Sequence, residues 1–461
     1  MRFLLGLVLV LLLAAGGVFV YAGRLAGPTL EIARPDKVVG MSSPLELRVQ
    51  APGALLESLE IVLEQNGKQF PLFSLADQKG AQVKQDGQDR IVVTRDIGKQ
   101  AVPELQSGNA KILVNSSRKV VYGIRTVHSS AAKDFRVRLE RPRVSVMSTH
   151  HYINHGGSEV VVYRATPEDV TSGVVVGDVE YPGYPATGLT VDGVRIADPA
   201  VRVAFFALLH DQDLKSPIRL FARDEAGNTA RADFDFRVFP KPFKKSTIPL
   251  DDRLIDRVVP AILEGTTEVR PEGDNLAKFL VINGELRKKN NDKIASFAAQ
   301  TKPELLWRGM VFHPFGNTAV ESAFADHRTY IYKGKAVDQQ VHLGFDLASF
   351  TGTPIVSANR GIVVFADELG IYGNCVIIDH GMGVQSLYAH LSSMDVKVGQ
   401  TVEKEQQVGR SGMTGMAGGD HLHFTMLVNG KMVNPVEWWD SHWIEDRLLR
   451  KFRAAGAPAG S

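Results

Sequence analysis

The sequence predicts a mainly β chain: an N-terminal transmembrane helix, two β-sandwich (immunoglobulin-like) domains, a helical linker region and a C-terminal antiparallel β domain. Three observations carry this expectation. Residues 28–240 alternate short apolar and polar runs between turn residues, the pattern of strands buried on one face. Phe3 to Gly23 holds 21 residues without a charge, about the number of helical residues that cross a bilayer core. Beyond residue 306 strands return, richer in glycine and histidine than those before.

At 461 residues the chain exceeds what one core supports, so several domains are expected. The first, 1–24, reads as a transmembrane signal anchor bounded by Arg2 and Arg24. A cleaved signal peptide is the rival, because Val20 and Ala22 precede Gly23 in a small-residue pattern. The apolar core of such a peptide, however, runs only about 7–15 residues. Either reading exports the remainder, since no second apolar stretch of spanning length occurs. Lys and Arg number 53 against 51 Asp and Glu, a balance that gives no electrostatic reason to expect nucleic acid. The single cysteine, Cys375, excludes an intramolecular disulfide and reads as a small core residue on a buried strand. Export without disulfides fits a bacterial envelope, here an inner membrane with the bulk of the chain in the periplasm.

Two sandwiches are expected, at 28–142 and 143–240, divided near Arg141-Pro142-Arg143. The first shows alternation in Leu45-Glu46-Leu47-Arg48-Val49 and Phe135-Arg136-Val137-Arg138-Leu139. In the second, the strand-turn-strand run Leu220 to Ala230 resembles the penultimate hairpin of bacterial immunoglobulin-like modules, which confers no activity. Phe239-Pro240-Lys241-Pro242-Phe243 then marks a boundary. From 243 to 305 a helical linker is expected, with apolar residues of Asp251 to Glu264 at helical spacing and Pro260 kinking or dividing that helix. The stretch reads as a spacer, or as a flap over the functional cleft of the C-terminal domain. At the end, 438–461, a helix over Trp443 to Phe452 precedes a Gly, Ala and Pro tail read as disordered.

Seven of the 13 histidines fall between 313 and 423, so the chemistry is expected in the domain at 306–437. In Val341-His342-Leu343-Gly344-Phe345-Asp346 an extended chain would place His342 and Asp346 on one face, a nitrogen and an oxygen donor suited to zinc. His421-Leu422-His423 opens a strand and presents two imidazoles on one face. Ser386-Leu387-Tyr388-Ala389-His390 ends a strand, with Tyr388 placed on the face of His390. Each alone competes with a plain reading as solvated or structural side chains. Their order within one domain, after the glycine-rich Gly412 to Gly419, raises all three.

That order, His-x-x-x-Asp, then Tyr-x-His, then a glycine-rich turn and His-x-His, resembles the lysostaphin/LytM-type zinc metallopeptidases, peptidoglycan endopeptidases of the Peptidase_M23 type. The likeness covers about 306–437 and extends to Gly352-Thr353-Pro354-Ile355, Asp379-His380-Gly381 and Val398-Gly399-Gln400-Thr401-Val402. It implies a C-terminal antiparallel β metallopeptidase domain in which His342, Asp346 and His423 bind one Zn2+, leaving a position open to water. It implies too that His421 and His390 are the catalytic pair, His421 as general base and His390 orienting the water or stabilising the oxyanion. The resemblance implies peptidoglycan peptides as partners, with protein regulators of wall remodelling, and the charge-free N-terminal helix adds the inner membrane. One departure stands out: the family often has Phe-Gly before an arginine, where this chain has Phe324-Ala325 and then Arg328, read as a substrate or structural contact near the cleft. The alternative is a non-hydrolytic wall-binding protein or regulator, the fate of relatives that have lost ligands. Since some relatives are held latent by upstream segments, 243–305 or the sandwiches are expected to restrict the site, and truncation to residue 306 to raise activity.

Overall fold

Alternating burial decides most of the chain. The computed structural model describes residues 2–22, 25–51, 56–121, 123–307, 311–316 and 318–457, with side chains 2–5 excepted. It is mainly β and divides into two compact units, one of 1–142 with 223–229, the other of 143–222 with 230–461. A helix runs Arg2–Ala22, but part of the expected anchor, together with the 458–461 tail, lies outside the described residues. Among the described residues no helix is long and apolar enough to cross a membrane.

The first unit holds a four-stranded sheet facing a five-stranded one. Strand Ser43–Gln50 turns Leu45, Leu47 and Val49 inward, and Leu56–Gln65 answers with Leu59, Ile61 and Leu63, so the period of two fills one core between the sheets. The second unit opens with another pair of four-stranded sheets, built around Ser158–Thr166 with Val201–Ala207 and around Thr171–Val176 with Ile218–Arg223. Val201–Ala207 is buried at every residue, which its nearly unbroken apolar run requires.

The segment after the proline-rich joint is not a spacer. Lys245–Leu250 is a strand that pairs in parallel with Asp326–Tyr332, residue for residue from Lys245 opposite His327 to Leu250 opposite Tyr332. Being an edge strand it tolerates Pro249. Helix Asp252–Gly265 starts at Asp251, whose carboxylate accepts from the Leu254 N–H, and runs through Pro260 undivided. Pro260 and Asp256, whose carbonyl loses its helical donor to the proline, sit on the exposed face, while Ile255, Val258, Val259 and Ile262 hold the other face in the core. Phe279, Ile282, Leu286 and Ile294 join the same core, so removing everything before 306 would strip an edge strand and open that core.

The C-terminal domain is centred on an antiparallel sheet in the order Ala319–Ser322, Phe345–Ala348, Leu422–Val428, Val384–Leu391, Asn374–Asp379, Gly361–Glu368 and Thr401–Val402, with Lys431–Val433 paired to Leu422–Val428 and smaller three-stranded sheets beside it. Leu422–Val428 and Val384–Leu391 are buried throughout and form its centre. Cys375 is fully buried there. Helical turns from Val436 to Gly456 then seat this domain on the second sandwich. Trp438 and Phe452 pack on Phe205, and the buried Glu437 carboxylate accepts from Asn154 Nδ2 at 2.7 Å and the Ser158 N–H at 2.8 Å. A Cβ on Gly157 would collide with that carboxylate, so only glycine allows the approach.

Candidate metal centre and catalytic cleft

The ladder positions the chemistry. His423 lies opposite Asp346 on one neighbouring strand and Ala389 on the other, so the three share a face and the small Ala389 leaves room beside the imidazole. One residue along, Phe345, Phe424 and Tyr388 are aligned and point the other way, into the core. The Tyr388 hydroxyl accepts from the Ala358 N–H at 2.7 Å. By strand parity His390 would follow Tyr388 into the core. Instead His390 has φ +63°, a left-handed conformation for a non-glycine residue, and its ring turns to the cleft. The expected shared face of Tyr388 and His390 is therefore corrected, because the backbone twists at the strand end.

The single strand expected to carry His342 and Asp346 is two strands, Lys335–His342 and Phe345–Ala348, bent at Leu343-Gly344. A Cβ on Gly344 would stand 2.6 Å from His423 Nε2, so glycine at the bend makes space for the imidazole. His342 Nε2 lies 2.9 Å from Asp346 Oδ1 and 3.0 Å from His423 Nδ1, and His423 Nδ1 lies 3.0 Å from Asp346 Oδ1. These three donors form a buried cluster that could hold a metal ion. Two facts test the fit. His342 Nδ1 donates to the Ala323 carbonyl, which leaves Nε2 as a lone pair facing a carboxylate oxygen, an arrangement that a cation between them resolves. His423 Nε2 is buried without a hydrogen-bond partner among the described residues. If it carries that ring's proton, Nδ1 supplies a third lone pair. Spacings near 3 Å are close to the edge of about 3.3 Å expected between ligands bonded tetrahedrally to zinc at about 2.0 Å.

His421 and His390 flank the cluster, their rings 4.9 Å apart. His421 Nδ1 donates to the Gly419 carbonyl and His390 Nδ1 to that of Thr414, each at 2.9 Å, so Nε2 is the working nitrogen of both. Burial opposes charge on Asp346, yet the surrounding His342, His421 and His423 rings hold its carboxyl well below the ordinary range. Burial also lowers His421, but Asp346 and the Gly419 carbonyl outweigh it and the ring is raised. Burial, with His421 and His423 adding to it, pushes His390 well below the ordinary imidazole range.

Arg328 reaches this site from Asp326–Tyr332. Its Nη2 donates to Asp346 Oδ2 at 2.9 Å and to Ser322 Oγ at 2.7 Å. It fixes the carboxylate oxygen that does not face the histidines, a positioning contact that the Phe324-Ala325 stretch alone could not specify. His380 is structural: fully buried, it donates from Nδ1 to the Arg360 carbonyl and lies 2.7 Å from Ser386 Oγ, and burial holds it to about 4. Sequence reasoning missed Tyr372, whose ring meets that of His423 at 5.6 Å, and Asp420, which ties Gly352 and Ser411 together beside His421. Neither belongs to a spacing that marks it in one dimension. The cleft is a cavity of ≈ 370 Å³, and Ile248, Leu250, Leu254, Phe279 and Arg287 of the upstream segment line it together with the histidines.

Residues 340–435 match Peptidase family M23. The peptidoglycan DD-endopeptidase ShyA of Vibrio cholerae is 29% identical over 180 residues, 38% of this chain and 39% of its own length. The DD-carboxypeptidase/endopeptidase Mpg of Neisseria meningitidis is 41% identical over 97 residues, 21% of this chain and 22% of its own. The chain thus spans under two-fifths of the length of these curated relatives. A crystal structure of an M23 peptidase from Pseudomonas aeruginosa is 20% identical, covering 61% of this chain and 92% of that one at a TM-score of 0.38. The matched residues contain His342, Asp346, His390, His421 and His423, so it is in the C-terminal β domain, with the whole of the histidine cluster, that this chain matches peptidase family M23.

Proposed function

We propose that the chain is a zinc-dependent endopeptidase hydrolysing cross-links or stem peptides of peptidoglycan. One observation carries this most: three buried lone-pair donors about 3 Å apart, with two further histidines beside them whose Nδ1 atoms are spent on carbonyls. His342, Asp346 and His423 are the ligands, and His421 and His390 the catalytic pair. A zinc ion held there supplies Lewis-acid polarisation and acidifies water. The Asp346 charge that raises His421 is shared with the ion when one is held, which returns His421 towards the range where an imidazole accepts a proton. His390, kept neutral by burial, orients the attacking water or steadies the developing oxyanion through Nε2. The names of the relatives supply the substrate class.

The N-terminal segment serves as an inner-membrane anchor with the catalytic domain in the periplasm. Its support is the charge-free stretch Phe3 to Gly23 of the sequence, about the number of residues a spanning helix needs. Protein regulators would act where the upstream segment lines the cleft.

Digestion of purified sacculi by the full chain, with mass analysis of the fragments, tests the reading. Peptide-bond cleavage is expected, and should disappear with EDTA and with His423→Ala. Cleavage that survives both treatments would overturn the metal mechanism.

A further inference from the structure

Arg287 is a cation in the cleft that the hydrolytic machinery does not use. It follows a π-helical turn, Ile282–Leu286, an irregularity found frequently at functional positions. Its Nε donates to the Asn283 carbonyl at 3.0 Å and its Nη2 to Asn283 Oδ1 at 2.6 Å. Asn283 is fully buried, and its own Nδ2 donates to Asp338 Oδ2 at 2.7 Å, which fixes the amide so that oxygen faces the guanidinium. Asn283 thus stands between Asp338 and Arg287, and no carboxylate pairs with Arg287 among the described residues. Nη2 also meets Met416 Sδ at 3.5 Å, in the glycine-rich loop that leads to His421, so the cation bridges the upstream wall and the catalytic loop. Glu321, whose charge acts on His421, lines the same cavity. The groove therefore carries a positive pole on Arg287 and a negative one on Glu321.

We propose that Arg287 is a specificity-determining residue that binds a free carboxylate of the peptide lying in the cleft. The ligand class comes from the chemistry. A guanidinium held through Nε and Nη2 by neutral acceptors, and half-buried in a cavity, leaves Nη1 without a partner among the described residues and lacks an anion, which a peptide carboxylate supplies. The inference rests on the proposed peptide substrate but not on its hydrolysis. It assigns the upstream segment a part in substrate choice, since the residue that reads the carboxylate lies outside the matched 340–435.

Binding without turnover tests it. The full chain, freed of metal with EDTA, is titrated by calorimetry with a stem pentapeptide whose carboxylates are free and with the same peptide fully amidated. The wild type should bind the acid at least about tenfold more tightly, the size of a charge-assisted contact. Arg287→Gln should bring the ratio close to one, and Arg287→Lys, which keeps the charge without the fork, should retain part of it. Thermal melting followed by tryptophan fluorescence establishes that the variants are folded. A ratio near one in the wild type, an unchanged ratio in Arg287→Gln, or no binding of either peptide would each overturn the proposal. Failure to cut sacculi with the acid preference intact would sink the hydrolytic reading alone.

Discussion

Gly344 and the five site residues divide by what their loss should do. Ala at 344 would push a methyl into the His423 ring and against the Phe424 carbonyl of the central strand, so Gly344→Ala should weaken zinc binding by about 10–100-fold, the usual penalty for disturbing a ligand's support. Competition with a chromophoric chelator measures it, and unchanged affinity would remove the steric account. His342→Ala and His423→Ala should lose stoichiometric zinc. His390→Ala and His421→Ala should keep it and lose hydrolysis by about 10²–10⁴-fold. Zinc content alongside sacculus cleavage separates the two groups. Much of this constellation was legible because His-x-His on a strand and a carboxylate four residues from a histidine are local patterns. The conformation of His390 was not. Parity predicts a core-facing ring after Tyr388, and only the strand end shows the left-handed backbone that turns it out. The Arg328 contact to Asp346 spans two strands, and periodicity carries no information across such a gap.

At the scale of elements, the upstream segment differs most from its expected role. Asp251 to Glu264 showed helical spacing and is a helix, whereas Lys245–Leu250 looked like linker because one alternation and a proline give little strand signal without a partner. Its partner lies beyond two helices, too far along the chain for local reading. The segment holds the cleft by packing: Phe279 is 1% exposed, against Tyr330 of the paired strand. Phe279→Ala should therefore cost about 3–5 kcal/mol of stability, as measured by urea unfolding. A loss under about 1 kcal/mol would return the segment to the status of a loosely attached flap. For the same reason, truncation to residue 306 should yield misfolded protein rather than a more active enzyme.

Across the second unit, pH should act through buried groups of opposite sign. Burial, against hydrogen bonds from Ser158 and Asn154, raises Glu437 to about 7. A carboxyl raised on folding contributes stability that is complete below its unfolded value near 4.5 and is lost as pH rises through 7. Burial lowers His380 to about 4, so its contribution is complete above about 6.5 and is lost as pH falls through 4. Between about pH 5 and 8.5, Glu437→Gln should accordingly gain on the wild type by roughly 3 kcal/mol. All four tryptophans, at 307, 438, 439 and 443, lie in this unit, so their fluorescence reports the unfolding. A difference independent of pH would show that Glu437 stays charged.

The parallel pair formed by Lys245–Leu250 and His327–Tyr332 also sets an order of events in time. Emerging from the ribosome, the first strand appears about eighty residues ahead of the second, and no hairpin can join parallel neighbours. Until then, its edge and the apolar face of the adjoining helix have no sheet to rest on, the kind of surface that invites association with other chains. His421 and His423 arrive later still, so the wall of the cleft must be kept from misassembly before there is a metal centre for it to enclose. A long-range pairing of this kind makes the wall a slow-folding part of the molecule, and the wait before its partner arrives is the interval in which a chaperone would matter most.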